Sequence, residues 1–266
     1  MKTYLCVTCG TQYPPAKQPP RNCPICEDER QYVPADGQRW LEYPSFEKQH
    51  KAAIRDDAGI LGLGVEPEFA IGQRALLVPG EEGNVLWDCV PFLDAHRERI
   101  EAEGGLAVIA VSHPHYYTTM VEWARAFDAR ILVHHTDREW VMYPDGTVEF
   151  WRGETYELGD GRTLVRCGGH FAGGQVLHWA PRRALLSGDI VQVIPDRTHV
   201  SFMYSYPNLI PLPAETVQRI GKTLEPYDFE TIHGAWWGRV VERDGNEVVR
   251  RSVDRYVRAV TAGPQT

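Results

Sequence analysis

Two sets of residues in this chain have the types and spacing of metal ligands. His113-Pro114-His115 sets two imidazoles one residue apart, directly behind the apolar run of residues 106–112. Neutral imidazole nitrogens bind zinc, iron and manganese, so this pair has the look of half a metal clamp. The second set is Cys6-Val-Thr-Cys9 with Cys23-Pro-Ile-Cys26. Each C-x-x-C turn directs two thiolates toward one point, and four thiolates suit a tetrahedral zinc ion. Gly10, next to Cys9, permits the tight turn that brings backbone N–H groups toward the sulfurs.

Further polar residues stand where strands are expected to end. Gly168-Gly169-His170 follows one strand-like run, Ser187-Gly188-Asp189 ends another, and His233-Gly234 ends a third. Open α/β sheets place their ligands outside the carboxyl ends of strands, and glycine lets backbone and ligand approach closely. The elements that must position these residues follow from the pattern. Residues 69–78 and 83–90 form an expected hairpin about the turn at 79–83. A helix is expected over 94–103, ended by Gly104-Gly105, and a second after Thr118. Residues 106–112 and 130–135 read as buried strands, followed by shorter strands in 147–191 punctuated by Asp145-Gly146 and Asp160-Gly161. A helix over 214–224, a strand over 229–234 and a helix over 247–262 complete the reading. Strands interleaved with helices imply a layered α/β fold.

The first 35 residues differ. A Pro-rich stretch separates the two cysteine pairs, and there is little aliphatic content from which to build a core. Such a segment needs a metal to stay folded. Residues 1–36 therefore read as a four-cysteine module and 37–266 as the main domain, with a linker near residues 36–38. Cys89 and Cys167 stand alone, which fits a metal clip and two reduced thiols in a cytoplasmic protein rather than a disulfide scaffold.

Composition is that of a globular protein, 43% apolar and 24% charged, with a net charge of −8. No apolar run is long enough to cross a bilayer, and the first residues have no apolar signal segment. Without a dense basic block, a nucleic-acid partner is not expected; the expected partner is a small-molecule substrate.

The cysteine segment resembles a zinc ribbon or rubredoxin-like knuckle pair. The ordered set His113, His115, His170, Asp189 and His233 resembles the metallo-β-lactamase superfamily over roughly residues 68–240, and the strand ending at Asp88 resembles that family's early strand. The resemblance implies a four-layer αββα sandwich with one or two metals at the edge of two sheets. It implies His113, His115 and His170 as ligands, Asp189 as the bridging carboxylate and His233 as the last ligand. The chain departs from the family's H-x-H-x-D-H loop, since Tyr117 and Thr118 replace the aspartate and third histidine that serve a second metal. One catalytic metal is therefore expected: zinc, with iron or manganese as alternatives. The ribbon would carry a structural zinc, with iron the alternative there.

The implied chemistry is hydrolysis of an ester-like bond (ester, lactone, thioester or amide) by a metal-activated water. Asp189 is the expected base, and Tyr117 the expected hydrogen-bond donor to a developing oxyanion. The alternative is a non-catalytic binding module on a degenerate hydrolase site. His134, His135 and His178 read as structural. His199, and Met203, Tyr204 and Tyr206 in the long aromatic loop, are candidate substrate contacts. Trp236 and Trp237 line either a pocket or the core.

Overall fold

The computed structural model describes residues 1–262. The chain starts with a three-stranded sheet, order β2-β1-β3, built from β1 (Lys2–Cys6), β2 (Gln12–Ala16) and β3 (Trp40–Glu42), with the short helix α1 (Pro24–Glu27) beside it. β3 lies beyond residue 36 and pairs antiparallel with β1, Cys6 opposite Trp40. The apolar content around the cysteines is small: Tyr13, Ile25 and Trp40, extended by Trp140 and Met142 from the main domain.

After α2 (Tyr43–Gln49) come β4 (Lys51–Asp56), β5 (Leu61–Glu66), β6 (Ala75–Val78), β7 (Val85–Trp87), α3 (Asp94–Ala102), β8 (Val108–Ala110), α4 (Met120–Phe127), β9 (Arg130–His134) and β10 (Val148–Trp151). The strands form one seven-stranded sheet, order β10-β9-β8-β7-β6-β5-β4, with β7 to β10 parallel. The hairpin β6–β7 is present. The stretch before it is strand only from Ala75, since residues 69–72 turn there instead. The hairpin β4–β5 lies upstream of the run in which the sequence pattern placed its first strand.

The second sheet has β11 (Thr155–Glu157), β12 (Arg162–Arg166), β13 (Gln175–Trp179) and β14 (Ala184–Gly188). The aromatic loop then contributes short pairs, β15 (Gln192–Val193) with β16 (Val200–Ser201) and β17 (Met203–Ser205) with β18 (Ile210–Pro211). Helix α5 (Ala214–Leu224), β19 (Thr231–Gly234), β20 (Val240–Val241) and α6 (Gly245–Thr261) finish the chain. Sheet order is β11-β12-β13-β14-β19-β20.

Period-two alternation sorts the apolar residues into layers. Val85, Trp87, Val108, Ala110 and Leu132 of the first sheet meet Leu164, Leu177, Ala184 and Leu186 of the second. Their neighbours Leu86, Ile109 and Ile131 face outward, packing with Ile100 of α3 and Val121 and Ala124 of α4. On the far side Val165, Leu185 and Ile232 pack with Val217 and Ile220 of α5 and Val248 of α6. Helices thus cover the outer faces of two stacked sheets, which is the expected αββα sandwich. No helix among the described residues is long and apolar enough to cross a membrane.

One buried histidine in this frame makes acid stability predictable. His96 of α3 is fully buried, its Nε2 lies 2.8 Å from the Gly64 carbonyl, and its ring stacks on Trp123. Burial lowers its pKa from 6.5 to about 4. The unfolded chain therefore takes up a proton below pH 6.5 that the folded protein refuses until about pH 4. Stability is lost as pH falls through that window, by about 3 kcal/mol for this group. His96→Gln keeps a donor for Gly64 and removes the titration. Denaturant titrations from pH 7 to pH 4 should show a loss smaller by roughly that amount than in the wild type. Parallel curves would show that His96 does not set the acid limit.

Candidate metal centre

The carboxyl ends of β7, β8, β12 and β14 open onto one edge of the sandwich, and each delivers a polar residue there. Asp88 follows β7, Ser112 and His113 follow β8, His170 follows β12 and Asp189 follows β14. Pro114–Tyr116 form a 3-10 turn that carries His115 back toward His113. One ring nitrogen each from His113, His115 and His170 lie within 4.8 Å of one another, all buried. The ring centroids are 5.1, 4.9 and 5.0 Å apart for the pairs 113–115, 113–170 and 115–170. Phe171 underlies all three rings.

The outer nitrogens are held in place. His170 Nδ1 lies 2.7 Å from the Tyr204 carbonyl, so it carries the proton and Nε2 presents a lone pair inward. His113 Nδ1 meets Ser112 Oγ at 2.9 Å, and the Ser112 N–H donates to Asp88 Oδ1 at 2.7 Å. Gly188 packs against this relay, with φ +52° and space for no side chain: a Cβ there would stand 2.4 Å from Ser112 Oγ.

This donor set fits a metal ion. Among the described residues, His113 Nε2 and His115 Nε2 are buried without a hydrogen-bond partner, as is Asp189 Oδ1. His115 Nδ1 and His170 Nε2 face each other at 3.2 Å. With the His170 proton on Nδ1, either two lone pairs oppose each other there or His115 is left with a bare Nε2. Buried polar atoms go unpaired at a cost of about 1–3 kcal/mol each, and a cation among the rings would remove it. Burial, with help from neighbouring positive groups, drives the pKa of His113 and His115 well below 6.5 and that of His170 to about 4. The rings are therefore neutral, the form that binds metals.

Asp189 lies beside the cluster, its Oδ2 3.8 Å from His113 Nε2. Burial raises its pKa to about 7, and Asp88, also buried, is raised to about 7 in the same way. His233 is not brought to the three rings. Ile232 faces α5 and α6, so His233 faces into the sandwich, opposite Leu186 in the β14–β19 pairing. The charges acting on it are Arg74 and Asp57, themselves an ion pair, and Arg182, and its Nδ1 has no partner among the described residues. Tyr117 packs in the cluster beneath α3 and α4, where burial and then the charge of Asp137 raise its pKa. The tyrosine against the ligand rings is Tyr116, whose ring is 4.3 Å from His113. Its buried hydroxyl neighbours Asp189 without closing a hydrogen bond of good geometry. Spacing alone does not separate these neighbours, because the 3-10 turn decides which one faces inward.

His134 bonds Thr136 and the Gly153 carbonyl, and His178 the Asp228 carbonyl. His199 pairs with Asp196 at the surface. Trp236 donates to the Ile71 carbonyl, and Trp237 lies over Gly62 and Gly64 with Arg55 above it.

The second cluster is Cys6, Cys9, Cys23 and Cys26, with ligand atoms within 4.8 Å of one another. Gln38 Nε2 donates to Cys6 Sγ at 2.9 Å and the Tyr13 hydroxyl to Cys23 Sγ at 3.2 Å, partners suited to thiolates. This ribbon is built into the centre's surroundings, a connection with no local sign in the sequence. Arg30 places its guanidinium 3.9 Å over the Phe171 ring and donates to the His170 carbonyl at 3.4 Å. Tyr204 and Asn208 of the aromatic loop bond Glu29 and Gln31 of the ribbon, and the Tyr206 hydroxyl donates to the Asp189 carbonyl. On the other side, a Cβ at Gly10 would stand 3.5 Å from Thr118 Oγ1.

Comparison with known proteins agrees with this architecture. No family model matches the chain. Solved structures of metallo-β-lactamases superpose on it. DIM-1 exposed to ceftazidime gives a TM-score of 0.60 at 13% identity, covering 79% of this chain and 98% of that one. FIM-1 from Pseudomonas aeruginosa, in its mono-zinc form, gives 0.58 at 10% identity, covering 77% and 96%. These likenesses establish the metallo-β-lactamase fold. In sequence, the chain is 46% identical over 270 residues to the uncharacterized protein YmaE of Bacillus subtilis (strain 168), covering 98% of each. With that alignment spanning ribbon and sandwich alike, the chain belongs to the family of YmaE, built on the metallo-β-lactamase fold.

Proposed function

We propose that the protein is a metal-dependent hydrolase of an ester-like bond in a small molecule, working at a mononuclear centre. The observation that carries this reading is the convergence of three buried, neutral imidazoles, two of which leave Nε2 without a partner among the described residues. His113, His115 and His170 would hold the ion, with Asp189 beside it; zinc suits three imidazoles, and iron or manganese share that preference. Bound there, the ion would supply Lewis acidity, acidifying water and polarising the substrate's carbonyl.

The chain's own groups do the rest. The Tyr204 carbonyl and Ser112 fix the rings of His170 and His113. Asp189 accepts the proton of the attacking water at its free Oδ1. Tyr116 sets a buried hydroxyl beside the Asp189 carboxylate, placed to donate to it once the bond closes in the substrate complex. Phe171, Arg30 and the aromatic loop cover the centre and exclude bulk water.

The test is turnover of an ester, lactone, thioester and amide panel together with metal content. At least one class should be hydrolysed, with activity lost on chelation and restored by zinc. A fully loaded centre that hydrolyses none would leave the fold as a binding module. Tyr116→Phe should lower kcat about tenfold with KM nearly unchanged, the loss expected for one hydrogen bond to a charged group. Tyr117→Phe should leave kcat within about twofold, because its ring only packs. The reverse ranking would return the tyrosine role to Tyr117.

A further inference from the structure

Where Gly168 and Gly169 lead into His170, the surface folds into a cleft of about 850 Å3. Three guanidiniums line it, each from a different part of the fold: Arg30 from the ribbon, Arg166 from β12 and Arg219 from α5. Among the described residues that line it, Glu154 alone carries a carboxylate. Glu154 pairs with Arg166, and Asp28 takes the Nε and Nη2 of Arg30. Arg219 donates to the Cys167 carbonyl at 2.7 Å and makes no ion pair among the described residues. It lies across Gly168, where a Cβ would stand 3.4 Å from its terminal nitrogens. With Arg30 and Arg166 each paired, Arg219 leaves one uncompensated guanidinium at this concave place among the described residues, in a chain of net charge −8.

We propose that this cleft binds the phosphate group of a small molecule, and that the hydrolysed substrate carries that group. The assignment of the substrate rests on the hydrolase reading; the assignment of the anion site does not. Three guanidiniums from separate elements offer more donors than one flat group can use. They suit a tetrahedral dianion with several acceptor oxygens better than a flat carboxylate, which one guanidinium satisfies. Thr216, in the first turn of α5, adds a hydroxyl to the lining. The volume exceeds what one phosphate fills and lies in the range of small-ligand sites, leaving room for the rest of the molecule.

The experiment is calorimetric titration of the zinc-loaded protein with inorganic phosphate, and separately with acetate. Wild type should bind phosphate and bind acetate far more weakly. Arg219→Gln should weaken phosphate binding about tenfold, as expected for one charge-assisted pair. Thr216→Glu places a negative charge in the cleft at a helix position that favours acidic residues, so it should abolish phosphate binding without loss of thermal stability. His115→Ala should leave phosphate binding intact. Phosphate binding that is absent in wild type, unchanged in Thr216→Glu, or lost in His115→Ala overturns the anion site. Hydrolysis of a phosphate-bearing ester that is equally fast in wild type and Thr216→Glu overturns the substrate assignment while leaving the hydrolase reading in place.

Discussion

His115→Ala should remove one metal ion per chain and leave the other. Two ions per wild-type chain are expected, one at the four cysteines and one at the three histidines. With His115 gone, His113 and His170 keep only two imidazoles, too few for a catalytic site of three protein ligands. The loss should exceed that for an outer-shell partner, so hydrolysis should fall by more than about a hundredfold. The four-cysteine site, held by its own strands and turn, should keep its ion. Elemental analysis reads both at once. The idea fails if the variant keeps two ions and its activity, because the convergence of the three rings would then have no bearing on either. Melting the metal-free forms controls for the cavity: the alanine also removes a buried ring, and that effect is present without metal.

How much of this could be read from the chain alone depends on which interactions decide each feature. The placement of His113, His170 and Asp189 at one edge of the sandwich was legible because each follows a strand whose apolar run is visible, and strand ends are where such sheets carry their sites. His233 reads the same way in sequence, yet it lies within β19, one residue before its end, and strand alternation turns it inward with Leu186. A shift of one residue moves a side chain to the opposite face, and no local pattern fixes the pairing of β19 with β14. Tyr116 and Tyr117 pose the same difficulty inside a turn. The hairpin β4–β5 left a visible signal, since Asp57-Ala58-Gly59 separates two runs of strand-forming residues. Glu29, Arg30 and Gln31 left none, because their partners lie about 140 to 180 residues away and only the packed fold brings them together.

That last contact makes Cys23→Ser the second informative variant. The ribbon buries few apolar groups, so its order would depend on a metal held by the four cysteines, and structural zinc sites contribute on the order of 10 kcal/mol to folding. Loss of one thiolate should release that ion and unfold residues 1–42. The consequence should travel along the hydrogen bonds. Glu29 and Gln31 hold Tyr204 and Asn208, Tyr204 supplies the carbonyl that fixes His170, and Arg30 covers Phe171 beneath the ligand rings. Amide exchange should therefore rise at residues 203–211 as well as in the ribbon, while β7, β8 and β9 in the sandwich stay protected. The histidine centre should keep its ion but bind it about 10–100-fold more weakly, the usual loss when a ligand's outer partner is disordered. Exchange confined to residues 1–42, with unchanged metal affinity at the histidines, would make the ribbon an independent appendage and separate its metal from the chemistry of the sandwich.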